Sequence, residues 1–400
     1  MAGKLVNNGM ISLEKALELV LGRAENTGTE QVDLADSLGC VLAKDVVADV
    51  NMPPFHKSAV DGFACRKEDL DGPLEVTENI PAGSVPQKNI EPQQCARIMT
   101  GAMVPEGADT VIMLEHTEAL DKSRIRFTGS SSKSNICYLG EDVNTGQKML
   151  SAGILLKPQH LGILAAAGCT RPVVYRSLTA GIIVTGDELV EPGEKPEGSK
   201  IRNSNAWQLI GQLKRNGVEA NYYGIIADSI NKIKEAIEKS LGQNDLTIIT
   251  GGASKGDFDY VPGILEELGL EHYFEKVAIQ PGKPVSFAAG EGNICFGLSG
   301  NPVSSFFQFE LLVVPFIQKM QGMEQTMKPF ATYLTQDMQR KKTERMQFFP
   351  VRINERGFAD PLEFHGSAHI VALAEADGMV AFPVGTDTLD KNNPVYVRSI

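Results

Sequence analysis

A chain of 400 residues, with 42% hydrophobic and 22% charged side chains, has the balance of an ordinary globular protein of about two to four domains. Its formal net charge of -12 opposes nucleic acid and anionic lipid as bulk partners, but a local pocket can still take an anion. The six cysteines are scattered without a C-x-x-C pair, which argues against a zinc site or redox dithiol and for reduced thiols in a cytoplasmic protein.

In chain order, the first residues lack the apolar stretch of a signal peptide, and the longest apolar runs are far too short to span a membrane. Ser12 opens an amphipathic helix, with Leu13, Ala16, Leu17, Val20 and Leu21 at helical spacing. Residues 40–50 read as strand, and Pro53 and Pro54 then mark a boundary. From 56 to 140, short apolar runs cut by Gly and Pro indicate a small β-rich domain. Residues 143–177 are mixed and return the chain to the first domain. The stretch from 178 to about 322 alternates: strands at 180–185, 223–227, 246–250 and 293–298, helices at 205–215, 230–241, 261–268 and 303–320. Continuous apolar strands separated by helices indicate a parallel sheet covered on both faces, of nucleotide-binding type. Strand signals return at 348–353, 379–384 and 395–397, and Ser367 is expected to cap a short helix through Ala376. This last block reads as a small α+β or β-barrel-like domain.

In open α/β sheets ligands bind beyond the carboxyl ends of the strands. Those positions hold Thr185-Gly186-Asp187-Glu188, Asp228, the run from Thr250 through Gly251, Gly252, Ser254 and Asp257 to Asp259, and Ser299-Gly300-Asn301-Pro302. Glycines let backbone N–H groups approach an anion. The carboxylates of Asp187, Glu188, Asp228, Asp257 and Asp259 are of the type that holds Mg²⁺ beside substrate phosphates. One Gly-Gly turn is usually only a turn, and one Asp after a strand is usually a helix cap; four such loops at successive strand ends point to a phosphate-bearing ligand. Standard nucleotide motifs are missing: no G-x-G-x-x-G follows a strand, and Asp257 stands where a P-loop needs Lys. Lys255 and Lys283 are the candidate cations. Asp61, Thr100 and Asp142 lie in segments that are ambiguous taken singly. His365 and His369 are four apart, but Gly366 argues against a helix carrying both as zinc ligands. No G-x-S-x-G is present.

Taken in order, the segments PPFHKSAVDGFA (53–64), RIMTGAMVPEGADTVIMLE (97–115), GED (140–142), TGDEL (185–189), TGGASKGDFDY (250–260), QPGKP (280–284), GNPVSS (300–305) and FHGSAHIVALAEADGMVAFP (364–383) resemble the molybdopterin molybdenumtransferases, which include the bacterial MoeA proteins and the E domain of gephyrin. The resemblance spans nearly the whole chain. It implies an elongated, discontinuous dimerisation domain (1–50 and 143–177), a β-rich domain closing the active site (51–142), an α/β molybdopterin-binding domain (178–325) and a C-terminal β-rich, barrel-like domain (326–400). It also implies a homodimer with shared active sites. The substrates would be adenylylated molybdopterin and molybdate, Mg²⁺ would assist, and AMP would be released.

By motif, Asp61, Thr100 and Asp142 would line the site from the second-domain side. Glu188, Asp257 and Asp259 would form the acidic, metal-holding set, and Lys283 the basic position. Thr185, Gly186, Asp228, Gly251, Gly252, Ser254, Pro302 and Ser367 would contact the ligand. Gln280 stands where some members carry a basic residue, so the resemblance implies one positive charge fewer here. Ser299 replaces a frequent Pro, and Ala368-His369 follows Ser367 where smaller or hydroxyl-bearing residues are expected. Two rivals share part of this pattern. The molybdopterin adenylyltransferase, which is also a candidate partner, resembles only the third block. A dimeric scaffold of gephyrin type would use the same domains for anchoring.

Overall fold

The structure, a computed structural model, describes residues 9–251, 261–323 and 329–400. Its first helix, α1 (Leu13–Leu21), starts where Ser12 accepts the Lys15 N–H, and it buries Leu13, Ala16 and Val20. These three residues join the main core of the α/β region. The stretch at 40–50 differs from expectation: only Val46–Val47 forms a strand, paired with Lys148–Leu150, and Val41 and Leu42 make isolated bridges. Thr29–Gln31 pairs with Val173–Tyr175, so the two chain segments flanking the β-rich region close on each other. Leu42, Leu150, Leu156, Leu164 and Val174 form their shared core.

The β-rich region is a six-stranded sheet. Its strands are β1 (Gly62–Cys65), β2 (Pro73–Ile80), β3 (Gln94–Ile98), β4 (Thr110–Met113), β5 (Thr117–Ala119) and β6 (Arg124–Phe127), in the order β4-β1-β3-β2-β6-β5. Only the β2–β3 pair is parallel.

The α/β region runs β7 (Leu178–Thr185), α2 (Asn205–Arg215), β8 (Val218–Ile226), α3 (Ile230–Leu241), β9 (Leu246–Thr250), α4 (Val261–Glu267), β10 (Glu271–Lys276), β11 (Ile279–Gln280), β12 (Pro284–Ala289), β13 (Ile294–Leu298), α5 (Pro302–Gln308) and α6 (Val314–Met320). The sheet order is β8-β7-β9-β13-β12-β10. The expected parallel arrangement holds for the first four strands, but β12 and β10 extend the edge antiparallel. Sequence reading missed them because they flank a Pro-Gly turn and carry no clear strand pattern, β10 being mostly polar and β12 opening on a proline. The 303–320 helix is also interrupted. A π-helical turn, Phe309–Val313, joins α5 to α6 just ahead of Pro315, whose missing N–H cannot bond the Leu311 carbonyl.

The C-terminal sheet contains β14 (Phe330–Tyr333), β15 (Met346–Ile353), β16 (Ala359–Pro361), β17 (Gly378–Phe382) and β18 (Pro394–Ser399). Its order is β11-β15-β17-β18-β14, with β16 on β15. One strand, β11, therefore comes from the α/β stretch and pairs in parallel with Met346 and Gln347. That exchange creates the seam at which the candidate site lies. Ser367 caps no helix: the short helix is a 3-10 turn at Ile370–Leu373 preceded by His369, and the Ser367 carbonyl instead accepts the Val303 N–H at 3.0 Å.

Candidate functional site

Three apolar parallel strands, β7, β9 and β13, end side by side. Beyond them the chain turns sharply. Gly251 has φ +91°, and a Cβ there would lie 2.1 Å from the Thr185 carbonyl oxygen, so the first glycine of the pair at 251–252 is a steric requirement. Asn205, buried at the start of α2, donates to the Thr250 hydroxyl at 2.8 Å and the Gly300 carbonyl at 2.9 Å. The Thr250 hydroxyl donates to the Ser299 carbonyl at 3.0 Å. These bonds stitch the ends of β9 and β13. Thr185 is buried beside them, and its hydroxyl has no hydrogen-bond partner among the described residues.

The acidic candidates divide. Asp187 and Asp228 face each other: each backbone N–H donates to the other's carboxylate, at 3.3 and 3.2 Å. The Glu188 carboxylate folds back over Gly186, 2.6 Å from where a Cβ would stand. Gly252, Ser254, Lys255, Asp257 and Asp259 lie outside the described residues. Among the described residues no group of three or more His, Cys, Asp or Glu could hold a metal. Of the set the resemblance implies for Mg²⁺, Glu188 with Asp257 and Asp259, only Glu188 is among the described residues; its carboxylate is an oxygen donor of the kind a hard cation takes.

The basic side is better defined. A cavity of about 280 Å³ opens at the seam with the C-terminal sheet, lined by Gln280, Lys283, Ser299, Asn301, Ser304, Arg345 and Ser367 among others. Pairing of β11 with Met346 and Gln347 brings Arg345 beside Gln280. Its guanidinium donates to the Gln280 side-chain oxygen at 3.1 Å and to the Ile279 carbonyl at 3.3 Å. A positive charge from the residue just ahead of β15 thus stands beside Gln280, where the resemblance implied one charge fewer. Lys283 follows Gly282, which has φ +95°, and no ion pair engages its ammonium among the described residues. Pro302 begins α5, and its carbonyl accepts from Gln208 at 3.1 Å.

On the β-rich sheet, Gly62 is in register with Ile98, which sets Asp61 and Thr100 at neighbouring strand ends. One Asp61 oxygen accepts both the Thr100 N–H at 2.7 Å and its hydroxyl at 2.8 Å. Those two donors, with the charge of Arg97, hold the Asp61 carboxyl below its ordinary value. Asp142 is exposed and engages through its backbone, donating to the Met52 carbonyl at 2.9 Å; no hydrogen bond joins it to Asp61 or Thr100 among the described residues. Nor, among those residues, does any hydrogen bond or ion pair join 51–142 to 178–400. Outside both groups, His365 and His369 stack with ring centroids 4.9 Å apart, and His365 lies 3.2 Å from the Glu363 carboxylate.

Sequence reasoning missed Arg345, Asn205 and Gln308. Asn205 carried a signal, as a second Asn in a polar run between a strand and a helix. Gln308 was visible only as an amide inside an apolar helix. Arg345 had no local signal, because its place depends on a pairing 66 residues away.

Comparison with known proteins covers almost the whole chain. The model of the MoeA N-terminal region, domains I and II, matches residues 11–168; that of a probable molybdopterin binding domain matches 181–319; that of the MoeA C-terminal region, domain IV, matches 333–399. The molybdopterin molybdenumtransferase of Staphylococcus epidermidis is 36% identical over 97% of this chain and 95% of its own. That of Bacillus subtilis is 35% identical over 98% and 94%. The molybdopterin biosynthesis MoeA protein from Pyrococcus horikoshii OT3 superposes with a TM-score of 0.85 at 30% identity, over 98% of this chain and 100% of that structure.

Proposed function

The chain belongs to the MoeA family of molybdopterin molybdenumtransferases, and from that premise we propose how its geometry inserts molybdate into adenylylated molybdopterin with release of AMP. The observation that carries the reading is the convergence of Lys283 and Arg345 on one cavity with the hydroxyls of Ser299, Ser304 and Ser367. Molybdate is a tetrahedral dianion. A guanidinium already held in place, with a second cation and several hydroxyl donors around it, replaces its hydration at a lower reorganisation cost than water. Arg345 is tethered at Gln280 and Ile279, whereas the Lys283 ammonium is free to follow the oxyanion.

The adenylylated pterin would lie across the ends of β7, β9 and β13, beside Thr185, Gly186 and Gly251. Glu188, with Asp257 and Asp259, would hold Mg²⁺, which when bound neutralises pyrophosphate oxygens. Pro302 and Asp228 would flank the nucleotide. Asp61, Thr100 and Asp142 would close over this site from the partner of a homodimer. The molybdopterin adenylyltransferase would be the donor of the substrate. As a description of the chain itself, that enzyme accounts for only the central block, while matches extend on both sides of it. Nothing favours a scaffold without catalysis. No helix among the described residues is long and apolar enough to cross a membrane.

The direct test is AMP release by the purified chain given adenylylated molybdopterin, Mg²⁺ and molybdate. Release should depend on molybdate, and Lys283→Ala should lower it at least about tenfold at limiting molybdate. Release indifferent to molybdate, or unaltered in Lys283→Ala, would overturn the reading.

A further inference from the structure

We infer that Gln308 is the positioning residue of the oxyanion cavity, acting through Lys283. The inference rests on the molybdate reading above and adds a residue to it.

Gln308 is the last residue of α5 and is fully buried. Its carboxamide has three hydrogen-bond partners, and all three are main-chain groups of the cavity loops. The side-chain oxygen accepts the Ser299 N–H at 2.8 Å, and the side-chain nitrogen donates to the Gly282 carbonyl at 2.8 Å and the Pro284 carbonyl at 2.7 Å. Both amide hydrogens are therefore used, and they grip the residues on either side of Lys283. Gly282 rests on the same amide: a Cβ there would meet the Gln308 nitrogen at 2.9 Å. One buried side chain thus ties the Lys283 turn to the end of β13.

Lys283 has few other restraints. Its carbonyl accepts the Val277 N–H at 3.1 Å, and Pro284 then enters β12. Arg345 is held separately, by Gln280 and Ile279. Removing the Gln308 donors would leave the buried Gly282 carbonyl and the part-buried Pro284 carbonyl without this partner, and the turn would move to find water or other donors. A shift of about 1 Å at a binding group is enough to cost one to two orders of magnitude in function. Lys283 would bear that loss, and Arg345 would not.

The test uses the full chain in the molybdate-dependent AMP-release assay, with Gln308→Met, Gln308→Glu, Lys283→Ala and the Gln308→Met/Lys283→Ala pair. Gln308→Met should raise the KM for molybdate about tenfold with kcat changed less than about twofold. Gln308→Glu should shift the KM in the same direction, because it keeps the volume and the acceptor, and a carboxyl buried against two carbonyls offers at most one O–H where the amide gave two N–H donors. In the Lys283→Ala background, Gln308→Met should add much less than in the parent, only what the lost acceptor for the Ser299 N–H contributes. Equal KM effects in the two backgrounds would show a general structural role and overturn the inference, as would an unchanged KM in both Gln308 variants. If Gln308→Met does not fold, Gln308→Glu decides by the same criterion. An unchanged KM in Lys283→Ala alone removes the underlying oxyanion reading, and the inference with it, in an arm that contains no Gln308 change.

Discussion

Asp61 shows how a fully exposed carboxylate can be tuned by neighbours alone. Two donors from Thr100 converge on one oxygen and favour the charged form, so the carboxyl titrates below its ordinary value. Replacing Thr100 with Val deletes the hydroxyl but leaves the N–H. The Asp61 midpoint, followed by carboxyl NMR, should then move up toward the ordinary value of about 3.9. An unmoved midpoint would mean that the N–H suffices. The three buried thiols, Cys65, Cys95 and Cys295, sit at the other extreme, pushed up to about 12 by burial, and are inert at neutral pH. Asp61 was legible in SAVDGFA, yet its bond to Thr100 was not, because it needs the register of β1 on β3.

Among the elements, the joint between Val173–Tyr175 and β7 depends on Asp245. Its carboxylate accepts from Arg176 at 2.5 and 3.2 Å and from the N–H and hydroxyl of Thr179 at 2.8 and 3.0 Å. Burial pushes the Asp245 carboxyl up, but these donors outweigh burial and hold it below the ordinary range. A depressed folded-state pKa stabilises above the unfolded value and ceases to do so as pH falls through the folded one. Asp245→Asn should therefore cost roughly 1–2 kcal/mol at neutral pH, discounted because Arg176 is 42% exposed. The deficit should shrink below about pH 4 in denaturant titrations compared with the parent; a deficit constant with pH would assign the loss to packing. Elements with strong periodicity, α1, α2, α3, β7 and β9, were readable from sequence. The antiparallel β10 and β12 were not: each has six residues, but β10 is mostly polar and β12 opens on a proline and ends on two alanines, so neither shows the pattern that identifies a strand.

For the whole molecule, the proposed shared site predicts complementation. If the chain forms that homodimer, Asp61→Ala and Lys283→Ala would each disable every site of their own dimers. A mixed dimer restores one site if Asp61 serves the partner's cavity, because one α/β domain then keeps Lys283 and meets an intact Asp61. Equal mixing should recover about a quarter of parental activity, half the dimers being mixed with one working site of two. No recovery, with mixed dimers demonstrated by mass, would place Asp61 in its own subunit's site.

The sequence by itself determined the family, because eight segments in fixed order survive translation into any coordinates. It also determined the parallel core, through apolar runs bounded by small residues, and the positions of Asp61, Glu188 and Lys283 at loop ends. Only the tertiary structure decided which charges meet. Arg345 enters the cavity through the pairing of β11 with β15, and Gln308 reaches Ser299 and the Lys283 turn from a helix end. Local pattern records which face of an element is buried; contacts between distant segments arise from closing the chain on itself, and no spacing along the sequence encodes them.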